Sequence, residues 1–370
     1  MSEGAFDFAV VGAGMAGSSL AAELASLSGG RLRIAMLEAE DRPGYHATGR
    51  SAAFWEECYG GPQVVPLTLA SGPYLREHGF LRPRGALYIG RAEDEAAVAR
   101  FEQRFAGTGA TFRRLDRAEL ASRIPDLLPD WRHAIWQPDC ADIDVAGVHQ
   151  HYLKRAAQGG VVLQTRFRLT SIERRNEGWR LRTADGRGIT AGWLVNAAGA
   201  WADTLAEAAG LAPKGIQPLR RTVAQLRVAP VAPADLPLVL DINGGFYFKP
   251  ESGRLWLSPH DETPSTACDA APEELDVALA IDRLRQVVDW RVSHVERRWA
   301  GLRSFAPDRL PVYGPDPADK GFIWFAGQGG YGIQTAPAAA RLLAEELLGF
   351  ARSAMTKGID PAPYQASRFA

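Results

Sequence analysis

Cysteine is scarce in this 370-residue chain, which has only Cys58, Cys140 and Cys268, far apart. An odd, scattered set argues against a disulfide framework and against a Cys-x-x-Cys metal or redox site, so reduced, structural thiols are expected. Histidine is nearly as sparse, at seven residues. His149 and His151 stand two apart on an expected helix and so face different ways, which suits a surface pair and not a shared metal ion. No metal site is expected. Net charge is lacking too, at −1, so no global field would draw nucleic acid or an anionic membrane. No apolar run reaches the roughly 20 residues of a membrane span. The chain opens directly on a strand with no secretory segment ahead of it, and a cytoplasmic location is expected.

Glycine, by contrast, is abundant, at 38 residues, and its placement is informative. Phe8-Ala9-Val10-Val11-Gly12-Ala13-Gly14-Met15-Ala16-Gly17 sets a Gly-x-Gly-x-x-Gly turn directly after an apolar strand. In such a dinucleotide cradle Gly12 permits the tight turn, Gly14 leaves room for a pyrophosphate, and Gly17 lets the helix pack on the sheet. The helix, expected from about 16 to 27, starts near Met15 and Ala16, and its free N–H groups favour an anion. Gly29-Gly30 stops it. A second strand follows over 32–38 and ends on Glu38, an acid placed to accept from both ribose hydroxyls and to disfavour a 2′-phosphate.

The length favours two domains. A charged helical pattern covers 92–123. A second helix is expected from Asp142-Ile143-Asp144, with the aspartates as caps, to Gly159-Gly160. Residues 193–199 form a buried strand running into small residues, which suits close approach to a ligand. From 213 to about 302 the character changes to clustered prolines, alternating strands such as 223–226 and 246–248, and one helical run over 272–290. The chain then returns to a strand at 322–326, a second glycine-laden turn and an alanine-rich helix to about 348, whose start could receive another face of the same cofactor.

Four segments together resemble the flavin-dependent amine oxidoreductase superfamily of D-amino acid oxidase, glycine oxidase and D-amino acid dehydrogenases. They are the opening cradle; Gly44-Tyr45-His46-Ala47-Thr48-Gly49-Arg50-Ser51-Ala52-Ala53; Leu194-Val195-Asn196-Ala197-Ala198-Gly199-Ala200-Trp201; and Gly327-Gln328-Gly329-Gly330-Tyr331-Gly332-Ile333-Gln334-Thr335. The second and fourth are nearest to D-arginine dehydrogenases. The resemblance implies non-covalent FAD and an α/β architecture, with a Rossmann-like FAD-binding domain (1–84, 141–213 and 304–370) interleaved with a mainly antiparallel substrate domain (85–140 and 214–303). It implies that Gly49, Arg50, Ser51 and Ala52 lie along the pyrophosphate and flavin. Leu169, Ala198, Gly199 and Trp201 would meet the adenosine half, and Gly329, Gly330, Tyr331, Gly332, Ile333 and Gln334 the isoalloxazine.

For the substrate, the resemblance implies a carboxylate held by an arginine fork and a tyrosine. Arg303 matches the arginine, Tyr247 the tyrosine and Arg220, beside Arg221, a second arginine. The Gly330 carbonyl would accept from the amine. Tyr59 matches a lid tyrosine, with Phe54, Trp55 and Glu56 in the same loop. Where relatives that take cationic side chains place a carboxylate, this chain has Arg84-Gly85, so an apolar side chain is expected, with Arg84 as a feature that could instead attract an acidic one. The expected activity is oxidation of a D-amino acid to a 2-oxo acid and ammonia, with oxygen or a quinone as acceptor. Alternatives are a glycine- or sarcosine-type amine oxidase, a 2-hydroxy acid dehydrogenase, a flavoprotein for electron transfer or RNA modification, and an NAD-dependent dehydrogenase.

Overall fold

The computed structural model describes residues 4–52, 54–176 and 178–369, so Ala53 of the second glycine-containing segment lies outside them. Two large sheets organise the chain. The first has a parallel centre in which Val162–Gln164, Ile34–Leu37, Gly4–Val11, Gly188–Asn196 and Phe322–Ala326 lie side by side. Ile34–Leu37 and Phe322–Ala326, buried throughout, read as apolar runs, whereas Val162 and Leu163 on the edge strand are exposed. Val11 pairs with Leu37 and with Asn196, and Asn196 with Trp324, so the carboxyl ends converge. Helices Met15–Leu27, Val145–Gln158 and Gly332–Leu348 cover one face, sealing Leu20, Leu24, Val148, Tyr152 and Leu343. Across that helical layer Glu23, almost wholly buried, accepts from Arg155 at 2.7 Å and from Arg341 at 3.1 Å.

The second sheet is mainly antiparallel. It runs Thr263–Pro264, Gln217–Ala229, Arg254–Ser258, Tyr247–Glu251, Leu238–Asp241, Ala86–Arg91, Trp131–Gln137, Arg113–Leu115, with the long strand Arg291–Phe305 on the other edge of Gln217–Ala229. Alternation splits its residues between two faces. Ala224, Leu226, Phe248, Leu255 and Leu257 pack beneath the helix Glu274–Arg285. Val223, Leu240, Tyr247, Trp256 and Trp299 look the other way.

Several local expectations change. The helical pattern of 92–123 is two helices, Glu95–Phe105 and Arg117–Arg123, parted by the strand Arg113–Leu115; Gly107 and Gly109 take positive φ in the turn between. Asp144 alone caps the helix Val145–Gln158, accepting from the Gly147 N–H. Asp142 sits on the strand Ala141–Ile143 and pairs with Lys249 at 2.7 Å and Arg84 at 2.6 Å. His149 and His151 are not a surface pair. His149 is buried and its Nε2 donates to the Ala13 carbonyl, while His151 meets Tyr74 Oη at 2.7 Å. Cys58 and Cys140 are buried free thiols, but Cys268 is exposed. No helix among the described residues is long and apolar enough to cross a membrane.

Because Glu23 compensates two guanidinium groups at a three-helix junction, Glu23→Ala should cost about 3 kcal/mol. Urea unfolding would show this as a lowered midpoint with an unchanged slope.

Candidate functional site

A cavity of about 680 Å³ runs from the converging strand ends of the first sheet to the strand Arg291–Phe305 of the second. Gly12 turns at φ +103°, where a Cβ would lie 2.3 Å from the Ala197 carbonyl, and a Cβ on Gly17 would lie 1.8 Å from the Gly12 carbonyl. Only glycine lets strand, turn and helix approach this closely. Gly12, Gly14, Met15 and Ala16 line the cavity, and Gly17 lies behind them at the turn. Thr48, not anticipated as a contact, accepts from the Met15 N–H at 3.0 Å and lines the same wall.

Glu38 follows the strand Ile34–Leu37. Its two carboxylate oxygens accept from the N–H groups of Ala13 and Glu40, both at 3.0 Å, which fixes the carboxylate at the cavity wall. Leu169, Ala198, Gly199 and Trp201 line this end. Arg50, Ser51, Gly329, Gly330, Gly332 and Ile333 line the other.

Besides Gly17, four expected cofactor contacts stand outside the wall. Gly49 lies against the Gly44 carbonyl, where a Cβ would approach to 2.6 Å, and Ala52 is buried among Tyr247, Val223 and their neighbours. The Tyr331 hydroxyl donates to the Arg309 carbonyl. Gln334 is a buried splint: its amide accepts from Glu56 N and donates to Glu56 O at 3.1 Å and to Thr68 Oγ1 at 2.8 Å. The side chains of Tyr331 and Gln334 are thus committed to bonds behind the wall.

At the second sheet Tyr59 and Arg303 crowd Gly330, and Phe54 connects Tyr59 to Tyr247; Arg303 lines the cavity, whereas Tyr59, Phe54 and Tyr247 lie outside its wall. A Cβ on Gly330 would lie 1.9 Å from Tyr59 Oη and 3.0 Å from Arg303 Nε. The Phe54 ring lies 5.7 Å from that of Tyr59 and 5.8 Å from that of Tyr247. Arg303 Nε and Tyr247 Oη are buried without a hydrogen-bond partner, and Arg303 has no ion pair among the described residues. Buried polar groups in this state call for an external partner.

Arg220 is not part of this group. Strand alternation sends it to the opposite face, where Glu273 and Asp276 take its guanidinium. Arg221 occupies the near face instead. It is buried, donates to the Asp261 carbonyl at 2.7 Å, and pairs with Glu262 at 3.1 Å. Its pKa is lowered by burial and by the neighbouring Arg303. His260 was also missed; it has φ +56°, its ring meets that of Tyr247 at 5.8 Å, and its Nδ1 donates to the Gly244 carbonyl. Burial and the Arg221 guanidinium hold it down to about 3, so it is neutral. Arg84 is committed to Asp142 and the Leu236 carbonyl, which removes it as an attractor of an acidic substrate.

Glu56 also turns away from the cavity. Its carboxyl accepts from Tyr88 Oη and from Cys58 N, both at 2.7 Å. Burial lifts its pKa from 4.5 to about 7 against those bonds.

A cleft that cradles a dinucleotide along one sheet and ends at an unpaired cation on another defines a two-compartment, nucleotide-cofactor enzyme. The sequence matches the family model for FAD dependent oxidoreductases (DAO) over residues 7–346, and the chain belongs to that family, with FAD as its cofactor. The cleft fits FAD on its own geometry, with side-chain-free glycines beside a helix N-terminus, a carboxylate at one end and a second glycine turn at the other. Glycine oxidase of Geobacillus kaustophilus is 27% identical over 359 residues, 92% of either chain. Its crystal structure superposes with a TM-score of 0.83 at 25% identity, covering 99% of both chains. The hydrogen cyanide synthase subunit HcnC of Pseudomonas aeruginosa is 28% identical over 226 residues; that match spans 59% of this chain and half of HcnC. L-Proline dehydrogenase of P. horikoshii shares the fold, with a TM-score of 0.85 at 20% identity over 100% of this chain and 98% of that one. These likenesses establish the family, while the narrower likeness to D-arginine dehydrogenases rests on two sequence segments.

The buried Glu56 gives a stability signature. Between about pH 4.5 and 7 the folded protein keeps a proton that the unfolded chain releases, so this group makes stability fall as pH rises through that window. Glu56→Gln should remove that slope, leaving the variant more stable than wild type by roughly 2–3 kcal/mol at pH 8. Denaturant titrations at pH 5, 6, 7 and 8 check it.

Proposed function

We propose that this chain oxidises the Cα–N bond of a D-amino acid with an apolar side chain, giving an imino acid that water converts to a 2-oxo acid and ammonia. The observation that carries the reading is the half-buried Arg303 in the wall of the FAD cleft, its Nε buried without a partner, together with the unpartnered hydroxyl of the buried Tyr247 on the same sheet face. A carboxylate satisfies both: the guanidinium fork binds it in two-point fashion and the phenol donates a third hydrogen bond. Arg221, already partnered by Glu262, adds no second free cation, so the site suits one carboxylate and not two.

With the acid group anchored, Cα is directed toward Gly330, whose carbonyl accepts from the amine. A substrate amine that binds neutral needs no side-chain base, and the chain's contribution is placement and exclusion of water by Phe54 and Tyr59. Bound FAD supplies the two-electron oxidant that takes the Cα hydrogen as hydride. Val223, Leu240, Trp256 and Trp299 on the same sheet face make an apolar surround for the side chain. In this reading segments 1–84, 141–213 and 304–370 hold the cofactor, 85–140 and 214–303 hold the substrate, and the enzyme works in the cytoplasm with oxygen or a quinone as acceptor.

A second reading, glycine or sarcosine as substrate, is favoured by the close approach of Tyr59 to Gly330, which narrows the chamber, and by the full-length likeness to a glycine oxidase.

The test is anaerobic bleaching of the flavin by a panel of D- and L-amino acids, glycine, sarcosine and 2-hydroxy acids, with ammonia measured. Bleaching by apolar D-amino acids with ammonia release is expected; bleaching only by 2-hydroxy acids would overturn the reading. Arg303→Ala should raise KM about 100-fold, the loss expected for a buried charge pair, with bound flavin unchanged. A KM within threefold of wild type would remove Arg303 from the clamp.

A further inference from the structure

One irregular segment closes the cofactor cavity from the substrate side. It leaves the second sheet after Thr263–Pro264, which pairs with Leu219 and Arg220, and rejoins regular structure at the helix Glu274–Arg285. Both ends are fixed. Asp261 accepts from Thr222 N at 2.7 Å and Thr222 Oγ1 at 2.9 Å, and Ser265 N donates to the Pro218 carbonyl at 3.0 Å. At the far end Glu273 holds Arg220. Between these anchors no residue from 265 to 273 belongs to a helix or strand, yet Cys268 and Ala270 line the cavity.

What holds this middle stretch down is a small set of contacts centred on Asp269. Its carboxylate pairs with the Arg50 guanidinium and accepts from Tyr45 Oη at 3.1 Å, and the adjoining Ala270 carbonyl accepts from Arg50 Nη1 at 2.8 Å. Arg50 and Tyr45 themselves line the cavity. The same Nη1 reaches the Ala300 carbonyl at 3.3 Å, and Trp299 Nε1 donates to the Arg50 carbonyl at 3.0 Å. Arg50 thus ties the cofactor wall, the segment and the strand that carries Arg303 into one joint. The Arg50 guanidinium is largely shielded, whereas the Asp269 side chain is 59% exposed, so the joint is bonded from outside and can be opened from outside.

We propose that residues 265–272 are a strap over the FAD cavity and that Asp269 is its latch, a positioning residue that acts through Arg50. With the latch made, Arg50 is held against Ala300 and the strap shuts the mouth of the cavity. With it broken, Arg50 keeps only carbonyl partners, its charge lies uncompensated in the wall, and the strap is left on its two anchors. The proposal depends on the cofactor and not on the substrate, so its test needs no turnover and stands whatever the substrate panel returns.

The experiment measures FAD release from the holoenzyme after dilution, by recovery of flavin fluorescence, together with amide exchange by peptide. Asp269→Asn should release FAD about five- to tenfold faster, the effect of losing one charge-assisted bond at a partly exposed position, with Asp269→Glu between it and wild type. Exchange should rise in peptides covering 265–272 and stay unchanged across 291–305. Release within twofold of wild type would overturn the proposal, as would faster release with equal loosening of 291–305, which marks general destabilisation. Should Asp269→Asn fail to fold, Tyr45→Phe removes only the hydroxyl bond to the latch; release about twofold faster supports the proposal, and no change overturns it.

Discussion

A guanidinium buried without a counter-charge is among the more expensive things a protein can keep, because desolvation is not repaid from within. Arg303 is half-buried in the cavity wall, with its Nε buried without a partner and no ion pair among the described residues, and the surrounding architecture maintains it. Its strand, Arg291–Phe305, pairs along nearly the whole length of Gln217–Ala229. The nearby carboxylates are assigned elsewhere: Glu262 to Arg221 and Arg309, Asp261 to Thr222, and Asp142 to Lys249 and Arg84. The result, among the described residues, is a positive charge with no ion pair at the end of a long apolar and glycine-lined cleft. In the reading proposed above, an anion that enters satisfies this site, which gives a physical basis for preferring a carboxylate.

The second constraint is the meeting of two sheets with different periodic rules. In the parallel sheet the inner strands are largely buried toward their carboxyl ends, and the cavity gathers there, where chain turns and helix N-termini lie. In the antiparallel sheet function gathers on one face, and each strand contributes every other residue. The cavity wall on the cofactor side therefore comes from turns, such as those at Gly12 to Ala16 and Gln328 to Ile333, and the antiparallel sheet supplies single residues, Arg303 in the wall and Tyr247 and Arg221 on the same face. Arg50 bridges the two regimes, since its backbone and side chain both bond to the antiparallel sheet while it lines the wall of the parallel one.

Membership of the DAO family is consistent with this division. The family model spans both halves of the chain, residues 7–346, and so takes in the glycine turns of the parallel sheet and the strand that carries Arg303. At the antiparallel sheet Phe54, Trp256 and Trp299 pack around Tyr247, and the buried charges of Arg221, Lys249 and Arg84 are compensated. The neutral His260, strained at positive φ, lies beside Tyr247.

The cofactor half was legible in the residues, because a glycine spacing, a following helix and an acid about 20 residues on are local features that need no partner to be recognised. The second glycine turn was legible for the same reason. What the linear order could not decide was which way side chains point. Arg220 and Arg221 are adjacent and chemically identical, and only pairing with Arg291–Phe305 under the helix Glu274–Arg285 sends one to carboxylates and the other to the chamber. Glu56 and Gln334 sit in segments that line the site, yet burial turns both into internal supports. Arg84 meets its partner Asp142 58 positions away. The strap is likewise a tertiary fact, since Asp269 and Arg50 are 219 residues apart. Periodicity and spacing encode local backbone geometry, whereas the free or compensated state of a charge depends on what long-range packing brings beside it.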